Sequence, residues 1–215
     1  MKLLFYTLIS IITYGALFAE SDDIFKESIS SNDIEYANIH SKEFLKSELL
    51  ESFEEKRLDE GAEEDTIRIT VLRSFHDPLM FIWEPRVDEV GSKLIVKKVK
   101  LNYDNDKNIV YGDLLLDKTI NLNFSNSKKL YRVLALSNVY TLNPRGWQPD
   151  TLDGSVWIYE LVSEKSSVLL VRKNPIQPIF KGVEISKENL FKESNLTFFA
   201  VMLWVLSDIK DPELY

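Results

Sequence analysis

From residue 66 onward, apolar residues recur at every second position, which is the period of a β-strand. In the first such segment Ile67, Ile69 and Val71 alternate with polar neighbours, as expected of a half-buried strand. The same pattern predicts further strands at residues 79–83, 93–101, 109–124, 155–162 and 167–172. The segment 109–124 fits either one long strand or two short strands divided near Asp117. Residues 75–78 read Phe-His-Asp-Pro and predict a turn, because proline disfavours a helical residue before it.

Three segments follow the 3.6-residue period of a helix instead. Residues 31–53 carry apolar side chains at helical spacing among Glu and Lys. A second helix is predicted at 128–137, with its N-cap among residues 125–127. Its buried stripe would consist of Leu130, Val133, Leu134 and Ser137. A third helix is predicted from the cap Ser186 to about Leu206.

The last helix determines the expected core. Its stretch 196–206 is apolar on every side and shorter than a membrane span, so we expect it inside the protein. Runs of strands followed by helices indicate an α+β fold. We predict an antiparallel sheet of about five to seven strands, packed on a central helix and on the C-terminal apolar helix. Both faces of the strand 155–162 are apolar, which predicts a place inside the sheet.

The N-terminus has the layout of a secretory signal peptide. Lys2 precedes an apolar run, which ends at Ala19 before an acidic segment. We expect cleavage after Ala19 and an exported protein, periplasmic or secreted; an uncleaved anchor helix is the alternative. The predicted organisation is a signal at 1–19, an acidic and partly helical extension at 20–65, and an α+β domain at 66–215. The acidic run 54–65 is interpreted as a solvated linker, because it lacks the ligand spacing of a calcium loop.

Composition and charge exclude several classes of function. The 215 residues carry a formal net charge of −8, which argues against binding nucleic acid or anionic lipid. The signal peptide is then the only expected contact with a membrane. The chain has no cysteine, which excludes disulfides and thiol chemistry.

The motifs for catalysis and cofactors are sparse. No histidine pair has the spacing of metal ligands, no Gly-x-Ser-x-Gly nucleophile motif occurs, and no glycine-rich nucleotide loop is present. We therefore predict no metal, no cofactor and no assigned catalytic residue. His76 and Asp77, beside Arg73, are the one place where an imidazole adjoins a carboxylate, so a general base is conceivable there.

Two acidic residues near the second predicted hairpin are further candidates. Asp153 precedes Gly154 in a turn, where a carboxylate commonly accepts backbone hydrogen bonds. Glu160 lies on an otherwise apolar face, where a carboxylate must be paired or protonated. Its expected partner is Arg172 or Arg132. A hydrolase would combine His76 with Asp77, Asp153 or Glu160.

A loop at residues 143–153 carries the strongest signal for binding. Arg145 and Trp147 lie in it among Gly and Pro, and Trp and Arg are the residues that most often anchor interfaces. The alternative is that Trp147 folds back over the core. We expect a non-enzymatic binding module that uses this loop together with Arg73, His76, Asp77, Asp153 and Glu160. The partner would be a protein or a small ligand; a hydrolase and a structural envelope component are the alternatives.

Several motifs resemble a family of uncharacterised exported bacterial proteins. The resemblance runs from about residue 66 to the C-terminus, and its most specific part is Leu-Asp-Gly-x-x-Trp-x-x-Glu at 152–160. It also includes Arg-Ile-Thr-Val-Leu-Arg-Ser-Phe-His-Asp-Pro-Leu at 68–79, the glycine Gly112 after a strand, and the apolar last helix. The family more often has Trp-Ser-Pro where this chain has Lys173, Asn174 and Pro175. The resemblance implies the fold and export, and implies no activity.

Overall fold

The computed structural model describes residues 39, 45–58, 65–86, 91–106, 108–146, 154–163, 166–173, 175 and 185–209. The strands are β1 (Thr66–Arg73), β2 (His76–Glu84), β3 (Ser92–Tyr103), β4 (Ile109–Leu122), β5 (Ser155–Ser163) and β6 (Ser166–Lys173). The helices of the described residues are α1 (Ser47–Ser52), α2 (Phe124–Ser137) and α3 (Lys187–Ser207), with a 3-10 turn at Val139–Thr141. The predicted α+β class and strand number are confirmed.

The six strands form one antiparallel sheet in the order β4-β3-β2-β1-β5-β6. The first four strands form a meander, and the β5–β6 hairpin is added on the other side of β1. Ile69 of β1 therefore pairs with Phe81 of β2 on one side and with Tyr159 of β5 on the other. The interior position predicted for β5 is correct.

The start of β2 differs from the prediction, whereas β4 is the single long strand that was one of the two predicted alternatives. Residues 75–78 do not form a turn: β2 already begins at His76, and only Ser74 and Phe75 connect it to β1. The strand β4 is continuous across Asp117, with irregular pairing to β3 near Val99. Strand pairing thus extends into polar residues that a hydrophobic pattern alone leaves in loops.

The first face of the sheet packs against α2 and α3. The core between them includes Trp83, Trp157 and Phe199, which are at most 1% exposed. The predicted stripe of α2 faces this core, with Leu130 and Val133 buried. Its N-cap is Asn123 rather than a residue of 125–127, because the Asn123 side chain accepts a hydrogen bond from the amide of Asn126 at 2.9 Å.

The helix α3 begins after the cap Ser186, as predicted, but it is not enclosed on all sides. One side, including Leu196 and Leu203, is buried against the sheet, whereas Val205 on the opposite side is 67% exposed. Within the described residues, α3 is also the one helix that has the length and composition to cross a membrane, a property that core helices of soluble proteins share. Its uniform apolarity therefore did not mean complete burial.

The second face of the sheet is covered by residues 45–58. Leu49 and Phe53 are fully buried against Met80, Ile82 and Ile158. Two buried cations of the sheet hold the end of this segment through its backbone. Lys97 donates a hydrogen bond to the carbonyl of Phe53 at 2.9 Å, and Arg68 donates one to the carbonyl of Lys56 at 2.6 Å.

The acidic run 54–65 therefore does not begin as a solvated linker. Glu55 forms an ion pair of 2.6 Å with Lys97, whose side chain is 8% exposed. Residues 59–64 of the run lie outside the described residues. The correction has a simple cause, since a buried lysine needs a nearby carboxylate, and that lysine is on a strand far away in sequence.

Candidate functional site

Three connections meet at one end of the sheet, which we call the hairpin end. They are the β1–β2 turn at Ser74 and Phe75, the β3–β4 connection after Tyr103, and Gly154 before β5. The register requires this convergence, because Arg73 is paired with His76 on one side and with Ser155 on the other. The hairpin end thus brings the His76 segment next to the end of the 143–153 loop.

Ser74 fixes the β1–β2 turn to both neighbouring connections. Its amide and its hydroxyl donate to the carbonyl of Gly154 at 3.1 and 2.8 Å, and the Gly154 amide donates back to the hydroxyl at 3.1 Å. The Tyr103 hydroxyl donates to the Ser74 carbonyl at 3.2 Å. Every polar group of Ser74 is therefore in a hydrogen bond, which leaves the turn little freedom.

This fixed turn presents an exposed aromatic side chain. Phe75 is 73% exposed, and Tyr103, whose hydroxyl reaches the same turn, is 50% exposed. Ile109 and Val110, paired with Tyr103 and Asn102 across the hairpin, are 54% and 44% exposed. Burying a Phe side chain contributes roughly 1.5–3 kcal/mol, so an exposed one forgoes that stabilisation. Contiguous exposed apolar side chains often mark interaction surfaces.

The three polar residues predicted in this region, Arg73, His76 and Asp77, are close together, but the Asp77 carboxylate is already engaged. Arg73 donates to the Asp77 carbonyl at 2.6 Å. The Asp77 carboxylate accepts from the Leu101 amide at 2.9 Å and lies 3.4 Å from the Lys98 ammonium. Because His76 and Asp77 are consecutive in β2, their side chains leave opposite faces of the strand. The Asp77 side chain therefore links β2 to β3.

Glu160 lies away from the hairpin end. Glu160 pairs with Arg68, whereas Ser155, at the hairpin end of the same strand, pairs with Arg73. Glu160 is therefore five residues, or about 17 Å, from the hairpin end. The Arg68 guanidinium donates to both Glu160 oxygens, at 2.6 and 2.8 Å. The predicted partners Arg172 and Arg132 are therefore wrong. Arg172 points to the other face of the sheet and donates to both oxygens of Glu193, at 2.8 and 2.7 Å.

Arg172 also positions the start of the candidate loop. Its Nη1 donates to the carbonyl of Pro144 at 3.1 Å, and the Val171 amide donates to the same carbonyl at 2.9 Å. Gly146 has φ +74°, and a Cβ there would come within 2.9 Å of the Arg172 Cδ. Arg145, between Pro144 and Gly146, is exposed. Trp147 and Asp153 lie outside the described residues.

Sequence reasoning overlooked Ser74, Phe75 and Tyr103 as site residues. Only Phe75 had a signal in the sequence. It is an aromatic residue between two predicted strands, where turns normally carry small or polar residues. Within the described part of the chain, no three His, Asp or Glu side chains are grouped so as to hold a metal ion. The chain matches no protein-family model and no curated protein.

Proposed function

We propose that this is an exported, non-enzymatic binding protein whose interface with a partner protein is the hairpin end of its sheet. The observation that carries the proposal is Phe75, 73% exposed on a turn whose Ser74 is hydrogen-bonded to two other connections. A rigid aromatic anchor loses little conformational entropy on binding, which favours affinity. Tyr103 supplies a second anchor of the kind enriched at interaction hot spots.

The arrangement of the carboxylates favours binding over hydrolysis. A general base must reach its proton donor or substrate at hydrogen-bond distance. Asp77 is tied to the Leu101 amide and to Lys98, and Glu160 is saturated by Arg68 on a distant part of the sheet. His76 would then be a polar group beside the aromatic anchors, whereas the buried Arg73 supports β2 through the Asp77 carbonyl. Arg145 is exposed in the separate loop that Arg172 positions. Export rests on the signal-like residues 1–19, and N-terminal sequencing of the protein recovered from the producing cell tests it.

The absence of cysteine allows a sharp test of the interface. Phe75→Cys, labelled with a photo-crosslinking maleimide, places one crosslinker at the hairpin end of the intact protein. We expect a crosslinked species of discrete mass in the producing cells' extracytoplasmic fraction. The matched control is Leu115→Cys, because Leu115 is also exposed, at 51%, but lies in the middle of β4, away from the hairpin end.

Alanine substitution tests the same surface by the strength of partner capture. Phe75→Ala should weaken capture of the crosslinked species at least about tenfold, as for an interface hot spot. Leu115→Ala should leave capture unchanged. Equal crosslinking from positions 75 and 115, or unchanged capture by Phe75→Ala, would overturn the proposal.

A further inference from the structure

The helix α2 carries an unusual charge for this chain. Its 14 residues contain Lys128, Lys129 and Arg132 and no acidic residue, whereas the whole chain has a formal net charge of −8. All three cations are exposed. Within the described residues, none of the three has an ion pair or a hydrogen bond through its side chain. No side chain of the described residues therefore neutralises these three charges.

Exposed apolar side chains surround these cations. On α2, Phe124 is 53%, Tyr131 36% and Leu136 44% exposed, and Tyr140 in the following 3-10 turn is 57% exposed. Successive helical residues are separated by 100°, so Lys128 and Arg132 lie opposite the buried Leu130 and Val133 on the outward side. Cations and partly exposed aromatic side chains thus share one surface, although the Tyr131 ring also packs edge-on against the buried Trp83, with ring centroids 4.9 Å apart.

The neighbouring helix extends this surface with an apolar stripe. The helices α2 and α3 pack against each other on the same face of the sheet, so their outward sides point in the same direction. On the outward side of α3, Val205 is 67% exposed, and Phe198 and Val201 are partly exposed. No charged side chain lies between Glu193 and Asp208 on α3. A cationic, aromatic helix therefore adjoins a helix without charge over its last four turns.

We propose that the outward surface of α2 and α3 docks on an anionic phospholipid bilayer. The cations would contact the headgroups, Tyr131 and Tyr140 would lie at the interface, and the α3 stripe would face the acyl boundary. Amphipathic surfaces that bind membranes combine these features. An acidic peptide would use the three cations but would leave the α3 stripe without a partner.

The net charge of the chain does not oppose this docking. Electrostatic attraction to a membrane depends on charges within a screening length of about 8 Å at physiological salt. The acidic residues Glu48, Glu51 and Glu55 are on the other side of the sheet, in or just after α1. On this side, Asp65 is close enough to raise the pKa of Tyr131, and Glu188 and Asp208 are at the two ends of α3. The net charge of the chain combines both sides and does not describe the surface around the three cations of α2.

The test measures binding of the protein, as recovered from its producing cells, to phosphatidylcholine vesicles with and without phosphatidylglycerol. We expect binding only with phosphatidylglycerol, and its loss in about 1 M salt, where the screening length is about 3 Å. Replacing Lys128, Lys129 and Arg132 by Gln should weaken binding about 100-fold, since each charge at the surface contributes about fivefold. The matched control replaces Lys46, Lys56 and Lys100 by Gln, which changes the net charge equally at exposed sites away from α2.

A single-cysteine label locates the contact independently of the charge variants. An environment-sensitive fluorophore on Val205→Cys should shift to the blue with phosphatidylglycerol vesicles, whereas the same label on Leu115→Cys of β4 should not. Equal weakening by the two triple variants, equal binding to both vesicle types, or an unshifted label at 205 would overturn the proposal. Binding of soluble polyglutamate with the same dependence on α2, without vesicle binding, would also overturn it.

Discussion

Arg68 and Glu160 face each other across β1 and β5, 92 residues apart in sequence, and share two hydrogen bonds of 2.6 and 2.8 Å. The Arg68 side chain is fully buried, and its remaining Nη1 donates to the Lys56 carbonyl at 2.6 Å. One guanidinium therefore connects the meander, the second hairpin and the N-terminal segment. The pair explains why an acid can stand on an apolar face of the sheet.

Glu160→Ala should lower the free energy of unfolding by about 3 kcal/mol, because it leaves the buried Arg68 without a counter-charge. Urea denaturation followed by tryptophan fluorescence measures the change. The double variant Arg68→Met with Glu160→Leu removes both charges at similar volume, and it should be considerably more stable than Glu160→Ala. A single variant as stable as the parent protein would show that the pair contributes nothing.

Phe53→Ala should destabilise the protein by about 3–5 kcal/mol, because it opens a cavity where the N-terminal segment covers the second face. Phe53 is fully buried, and its carbonyl accepts a hydrogen bond from Lys97. Thermal unfolding measures the effect. Leu115→Ala is the control, since Leu115 is 51% exposed and its loss should change stability by less than about 0.5 kcal/mol. Similar stability of the two variants would contradict the burial of the segment.

Ser74→Ala should cost about 1 kcal/mol of stability, because the hydroxyl both donates to and accepts from Gly154. Hydrogen exchange should show the loss most clearly at the Gly154 amide, whose acceptor is that hydroxyl. Ser125→Ala, at an exposed serine of α2, is the control. An unchanged exchange rate at Gly154 would mean that the turn is held by its other contacts alone.

Tyr159→Phe should stabilise the protein by about 1 kcal/mol at neutral pH. The Tyr159 hydroxyl is buried and has no hydrogen-bond partner among the described residues, and an unsatisfied buried polar group is costly. Isothermal urea denaturation of the variant and the parent protein measures the gain. Tyr140→Phe, at a 57% exposed tyrosine, should be neutral.

Alkaline pH should widen the difference between the Tyr159→Phe variant and the parent. Burial raises the pKa of Tyr159 above its ordinary value; Glu193 adds to the shift and Arg172 opposes it. The unfolded chain releases this proton near pH ~10, so the folded state binds more protons above that pH and stability falls as pH rises. Ionisation of this phenol in the unfolded chain costs the parent protein no stability below about pH 10 and an increasing amount above it. Denaturation at about pH 9 and about pH 11 should show a smaller loss for the variant; equal losses would contradict this assignment.

The candidate site was only partly accessible from the sequence. The polar residues Arg73, His76 and Asp77 were expected near one another, because they are close together in the chain. Their environment was not predictable, because Asp77 is engaged by Leu101 and Lys98 of β3. The turn that exposes Phe75 is held by the hydrogen bonds between Ser74 and Gly154, which are 80 residues apart. No local sequence pattern encodes such a contact.

The sequence by itself determined the elements of this protein and their buried sides. Alternation placed Trp157, Tyr159 and Leu161 on one face of β5, and helical spacing placed Leu130 and Val133 on the inward side of α2. These periods are fixed by local backbone geometry, so they are readable without knowledge of neighbours. Only the tertiary structure decided that β5 lies beside β1, that Glu160 meets Arg68, and that residues 45–58 cover the second face. Those relationships depend on which strands are neighbours, and the choice is made by the packing of the whole chain.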